Sequence, residues 1–318
     1  PPPYAVTTVL SIFFMALALG SLWGGRLADN HPHPLRLYGI FEIIIGIWAF
    51  LFIVFIGVGE SAVVEILKAV GPSYTLGIAL RALMAALFLL VPVTLMGATL
   101  PLLARVVTAY GPVQGLRLGG LYSFNTFGAV AGCMVTGFAL LAKFGYTKTT
   151  FIGATLNVVI GILAIAMSRR VEKETAADTL PGHEDKQESA AHHDRVTPTI
   201  ALMVIAAFAI SGFCFLALEV LWTRLLTILF LGTTYAFTTM LTSVLCGIAL
   251  GSSVASLIID RIRDRVAAYG FIQALTGIAC LLMLMIFPLL PDMLRSARMS
   301  TGLDWGAMAF RKFLLAFS

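Results

Sequence analysis

Glu42, Glu219 and Arg224 are ionisable residues set in long apolar stretches, and Asn125, Asn157 and Gln273 are amides in the same setting. An ionisable group inside an apolar helix is costly, which makes it a functional candidate by default. A carboxylate in such a place can hold a cation or a proton. Each residue also has a plainer reading. Glu42 lies five residues past Leu37, about 8 Å along a helix, so its carboxylate can snorkel to the interface. Glu219 and Arg224 are five apart, about 140° around a helix, so each would meet a partner on another helix, in a structural ion pair or in a gate. The amides can simply hydrogen-bond neighbouring helices. Residues for other chemistries are missing. Cys133, Cys214, Cys246 and Cys280 fall in apolar runs without CxxC spacing, and His183, His192 and His193 lack ordered spacing. No metal site, catalytic group or cofactor is therefore expected in this stretch.

The elements that position these residues are read from the charge distribution. The chain has 318 residues, 59% apolar and only 12% charged, with a mean hydropathy of +0.96. A soluble domain carries about 25% charge. Of the 37 charged residues, 12 lie in 169–197. Uncharged runs elsewhere reach the roughly 20 residues that cross a bilayer core. Lipid forces each backbone to satisfy its own hydrogen bonds, so these runs should be helices. Spans are expected at 5–25, 37–58, 82–104, 118–142, 149–168, 199–231, 235–259 and 267–291, with another opening near Ala309. In 199–231 the depth of Glu219 stays open: near the outer surface, beside Trp222, if the helix enters at Thr199, and near the midplane if it enters later.

The connections alternate sides. One set (26–36, 105–117, 169–197 and 260–265) holds twelve Lys and Arg, and the other holds five. Basic enrichment marks cytoplasmic loops, which places the polar linker 169–197 in the cytoplasm, most simply of a bacterial inner membrane. The net charge of +5 is not gathered on a soluble surface, so nucleic acid is not expected as a partner; the lipid bilayer is.

The sequence repeats. Residues 4–29 align without gaps with 235–260, identical at 10 of 26 positions. Tyr38-Gly39 then matches Tyr269-Gly270, Glu42 matches Gln273, and Gly46-Ile47 matches Gly277-Ile278. Six spans separate the copies, so both face the same way. The expected fold is an all-α polytopic membrane bundle built on parallel six-helix repeats. Residues 1–168 would be a first half lacking its first helix, and 198–318 the start of a second half, so the chain reads as truncated at both ends. Gly20-x-x-x-Gly24, Gly128-x-x-x-Gly132 and Gly247-x-x-x-Gly251 are expected to let helices approach closely. Pro92 and Pro101 should kink the span around Gly97.

Three segments, Ala217–Arg224, Leu95–Pro101 and Gly119–Gly132, resemble the membrane part of the fused major-facilitator/spermidine-synthase-like proteins. Gly25-Arg26-Leu27-Ala28-Asp29 is similar to the cytoplasmic loop motif of major facilitators, in which the Gly permits close helix approach and the Asp meets helix termini. The match is partial: Asn30 stands where the motif has Arg, and the second copy keeps Asp260-Arg261 but has Ser256 for the Gly. The resemblance implies a soluble aminopropyltransferase-like domain after the helices. No Gly-rich strand–loop–helix for such a domain occurs in these residues. Three readings compete: a transport-type bundle for a polyamine or another small, cationic solute; an anchor for the aminopropyltransferase-like domain; or part of an enzyme that uses the membrane to meet an amphipathic substrate.

Overall fold

A computed structural model describes residues 3–70, 74–108, 114–178, 198–229, 234–258, 262 and 264–286. Among them there are helices and no strand. They are α1 (Pro3–Asn30), α2 (Pro34–Val70), α3 (Tyr74–Thr108), α4 (Gln114–Met134), a π-helical turn (Val135–Leu140), α5 (Leu141–Asp178), α6 (Pro198–Leu229), α7 (Thr234–Ile258) and α8 (Arg265–Ile286). Seven described helical segments are long and apolar enough to cross a membrane. One of them, Leu118–Arg170, has 53 residues, about 80 Å of helix and enough for two crossings. Gly145, at φ 68°, breaks it, at the turn expected between Lys143 and Lys148. The last expected span, near Ala309, lies outside the described residues, as does the end of 267–291.

Two helices outrun their spans. α2 continues to Val70 rather than stopping near 58, and Glu65 and Lys68 pair on its extension at 3.0 Å. α5 continues through Arg169 to Asp178, so the first ten residues of the expected linker are helical; 179–197 lie outside the described residues. Leaving the bilayer does not end a helix. Glu, Lys and Ala are good helix formers, and they dominate Glu172–Ala177.

The chain gathers into two compact units. The first is Pro1–Leu121 with Leu140–Glu184, and the second is Tyr122–Ala139 with Asp185–Ser318. They cut across the repeat halves, because α4 from Tyr122 onward groups with the later helices.

Within the first unit, α1 packs on α3 and α2 packs on both α3 and α5. The contacts are made at small residues. A Cβ on Gly20 would strike the Thr94 backbone, one on Gly24 would come within 2.5 Å of Ala98 Cα, and one on Gly97 would strike the Leu17 carbonyl. α2 and α5 run antiparallel, and each contributes a glycine to one crossing. A Cβ on Gly39 would lie 2.6 Å from the Gly161 carbonyl oxygen, and a Cβ on Gly161 2.5 Å from that of Gly39. Seven residues on, Gly46 meets the Ala154 carbonyl in the same way, at 2.7 Å. Lipid offers helices no hydrophobic drive to associate, so close backbone packing has to hold them. Ala28, Phe41, Ala98 and Leu102 form the buried core beside this crossing, with Trp23 stacked on Phe41 at 5.7 Å.

In the second unit, α4 and the π-turn lie antiparallel against α7. Three points fix the register: Ser253 Oγ to Ser123 Oγ at 3.3 Å, Thr242 Oγ1 to Cys133 Sγ at 3.2 Å, and Gly137, whose Cβ would meet the Thr238 side chain. Thr239 and Thr242 are fully enclosed here.

Among the described residues, the expected close approaches at Gly128, Gly132, Gly247 and Gly251 do not occur. A Cβ on any of them would have no atom within 4 Å. The reason is rotational: the α4–α7 seam runs along Ser123, Cys133, Thr242 and Ser253, and these glycines point elsewhere.

Candidate functional site

The described candidates fall into both units. In the first, α2 carries Glu42 one helical turn after Tyr38, on the same face of the helix. Glu42 is half-buried. Tyr38 packs on the Ala28–Phe41–Ala98–Leu102 core, so the carboxylate sits beside the α1–α3 contact. Asn157, on α5, is half-buried. The antiparallel register, with Gly39 at Gly161 and Gly46 at Ala154, brings Asn157 to the level of Ile43 and thus near the height of Glu42.

In the second unit, Glu219 lies on α6 and is only 5% exposed. It stands in the second half of α6, toward the end away from Pro198. Thr223, one turn on, donates from Oγ1 to the Glu219 backbone carbonyl at 2.7 Å. Among the described residues no ion pair or side-chain hydrogen bond reaches the carboxylate. The Arg224 side chain lies outside the described residues. Asn125 is exposed on α4, next to the buried Thr126, and so points away from the packed seam.

Gln273 donates from Nε2 to Ser211 Oγ at 2.8 Å, tying α8 to α6. The two residues stand in a groove of about 1220 Å³, walled by Ala207, Ser211 and Phe215 of α6 and by Gly270, Gln273 and Gly277 of α8. Among the described residues that line it, none is charged. The repeat explains its shape. Gly270, Gln273 and Gly277 are the counterparts of Gly39, Glu42 and Gly46, and in the first unit that stripe of α2 receives α5. Among the described residues, a Cβ on Gly270 or Gly277 would meet nothing within 4 Å. The stripe is shaped as a helix seat, which favours a packing role for Gln273 over one in a solute path.

The loop motif is only partly visible. Gly25 lies inside α1 and has no atom within 4 Å of an added Cβ; the close approach belongs to its neighbour Gly24. Asp29 is exposed near the end of α1, where Asn30 Nδ2 caps the Arg26 carbonyl at 2.8 Å. Asp260 and Arg261 lie outside the described residues. Sequence reasoning missed the hydroxyl seam of Thr238, Thr239 and Thr242, although their spacing on one apolar helix was a signal. It also missed Trp48, which donates from Nε1 to the Phe88 carbonyl at 2.9 Å. Among the described residues no cluster of three metal-ligating side chains occurs.

No curated protein and no solved structure matches the chain. A family model described as the Major Facilitator Superfamily matches residues 2–317. With its repeated, membrane-length helices, the chain is an integral membrane, transporter-type domain and belongs to the major facilitator superfamily.

Proposed function

We propose that the bundle carries a small cationic solute of the polyamine class across a bacterial inner membrane, with linker 169–197 on the cytoplasmic side. One observation carries this reading: Glu219 is enclosed in a membrane helix, 5% exposed, with no cationic partner among the described residues. A buried carboxylate left unpaired is expensive. A cationic solute or a proton relieves that cost, and exchanging one for the other is a means of coupled transport. Glu42 is only half-buried and serves as a second, weaker cation site.

The test is uptake of labelled spermidine into proteoliposomes containing the protein from its complete reading frame. Glu219→Gln should abolish uptake and Glu42→Gln should reduce it, both with unchanged melting temperatures. Uptake that survives Glu219→Gln at the parent rate would sink the reading. A second reading rests on the segments Ala217–Arg224, Leu95–Pro101 and Gly119–Gly132. On it, the helices anchor an aminopropyltransferase-like domain, and the complete protein makes a polyamine without moving one.

A further inference from the structure

The transport reading makes no use of the hydrogen bond between α2 and α3. Proline has no N–H, so Pro92 leaves the carbonyl four residues earlier, that of Phe88, without its helical donor. In the hydrocarbon region no water can take that place. The Trp48 indole of α2 takes it instead, with Nε1 2.9 Å from the Phe88 oxygen. Pro101 orphans the Gly97 carbonyl of the same helix, and among the described residues no side chain donates to that one.

Pro92 also divides the packing of α3. Before it, Met84 and Phe88 face α2: Met84 closes over Gly59, and the Phe88 ring meets Phe52 at 5.7 Å and Phe55 at 6.1 Å. After it, Thr94, Gly97 and Ala98 are pressed onto Leu17, Gly20 and Gly24 of α1. The glycine contacts with α1 begin just past Pro92, where Ala98 and Leu102 also meet Phe41 of α2 in the buried core.

We propose that Pro92 is a hinge in α3 and that Trp48 is the latch that holds it closed. On release, residues 74–91 swing away from α2 while 93–108 stay seated on α1. Pro92 has already removed one of the helical hydrogen bonds that cross the pivot, so the helix bends more cheaply there than elsewhere. Release breaks one interhelical hydrogen bond and loosens the phenylalanine cluster. The device does not depend on the identity of the solute or on Glu219.

The experiment uses the full-length protein in lipid nanodiscs, with its native cysteines replaced by alanine. Spin labels go at Val58 and Leu83, which are exposed and flank the latched contact, and in a second sample at Leu22 and Met96, exposed beside the α1–α3 contact. Pulsed electron–electron distance distributions are recorded for each pair. Trp48→Phe keeps the ring and removes the donor, so it should raise the long-distance population of the 58–83 pair about threefold, the average weight of one such bond in a membrane protein. The 22–96 distribution should not change. Pro92→Ala restores a backbone donor to the Phe88 carbonyl, and in that background Trp48→Phe should leave the 58–83 distribution as it was. An equal effect of Trp48→Phe in both backgrounds would make Trp48 a packing residue and overturn the proposal. So would an unchanged 58–83 distribution in the parent background.

Discussion

Gly161→Ala should destabilise the protein, although alanine is the better helix former. The new Cβ would sit 2.5 Å from the Gly39 carbonyl oxygen, 2.7 Å from Ile43 Cγ1 and 3.0 Å from the Ile43 nitrogen. Ordinary contact begins near 3.4 Å, so α2 and α5 must part by about 0.9 Å. A gap of that size forfeits about a quarter to a half of the dispersion energy of the facing atoms. Neither the carbonyl nor the amide can turn aside, because both are helix backbone. Overpacking of this kind costs about 1–3 kcal/mol, and the gain in helix propensity returns about 1 kcal/mol. The net loss is about 1 kcal/mol, the middle of the resulting range of about 0–2 kcal/mol. Gly128→Ala is the comparison: nothing lies within 4 Å of its Cβ, so it keeps only the propensity gain of up to about 1 kcal/mol. Denaturation of the purified variants in one detergent, followed by far-ultraviolet circular dichroism, should separate them by about 2 kcal/mol, with opposite signs about the parent. If Gly161→Ala is as harmless as Gly128→Ala, the reciprocal glycine crossing is not what holds α2 to α5.

Three further outcomes are expected. With the native cysteines removed, Ser123→Cys with Ser253→Cys should form a disulfide under mild oxidation, because the two hydroxyls already lie 3.3 Å apart; Gly132→Cys with Gly247→Cys should not, and gel mobility reads the difference. Gly145→Ala should cost about 1–3 kcal/mol in the same denaturation assay, because φ 68° with ψ 179° is a conformation reserved for glycine. Gln273→Leu removes the link to Ser211 and should cost about 0.6 kcal/mol, the average for one interhelical hydrogen bond, with little effect on uptake if the groove is a helix seat.

The membrane helices were legible in the sequence, because lipid imposes a length and a composition that can be counted. The turn at Lys143–Lys148 was legible too, whereas α2 and α5 run on past their expected ends, because span counting marks where lipid ends and not where hydrogen bonding does. Glycine patterns were half legible. Gly20 and Gly24 do seat α3, but the same spacing at Gly128 and Gly132 faces no described helix, and the Gly39–Gly161 crossing has its two partners on separate helices. A motif on one helix cannot say which way that helix is turned. For the candidate site, Glu219 was visible as a carboxylate in an apolar run, but its burial was not, since the 33 residues of 199–231 fit a membrane at several depths. Trp48 could have been found by counting back four residues from Pro92 and asking which donor serves Phe88.

The membership of α4 has a practical consequence. Residues Tyr122–Ala139 belong by packing with Asp185–Ser318, yet in the chain they come before the linker. Severing the backbone anywhere in 185–197 therefore would not release two self-sufficient pieces. The leading piece would keep a helix whose seam partners, Thr238, Thr242 and Ser253, had left with the trailing one. Produced together, the two pieces should find each other and restore the protein by complementation; produced singly, the trailing piece should aggregate along the hydroxyl face of α7 that its missing helix normally covers.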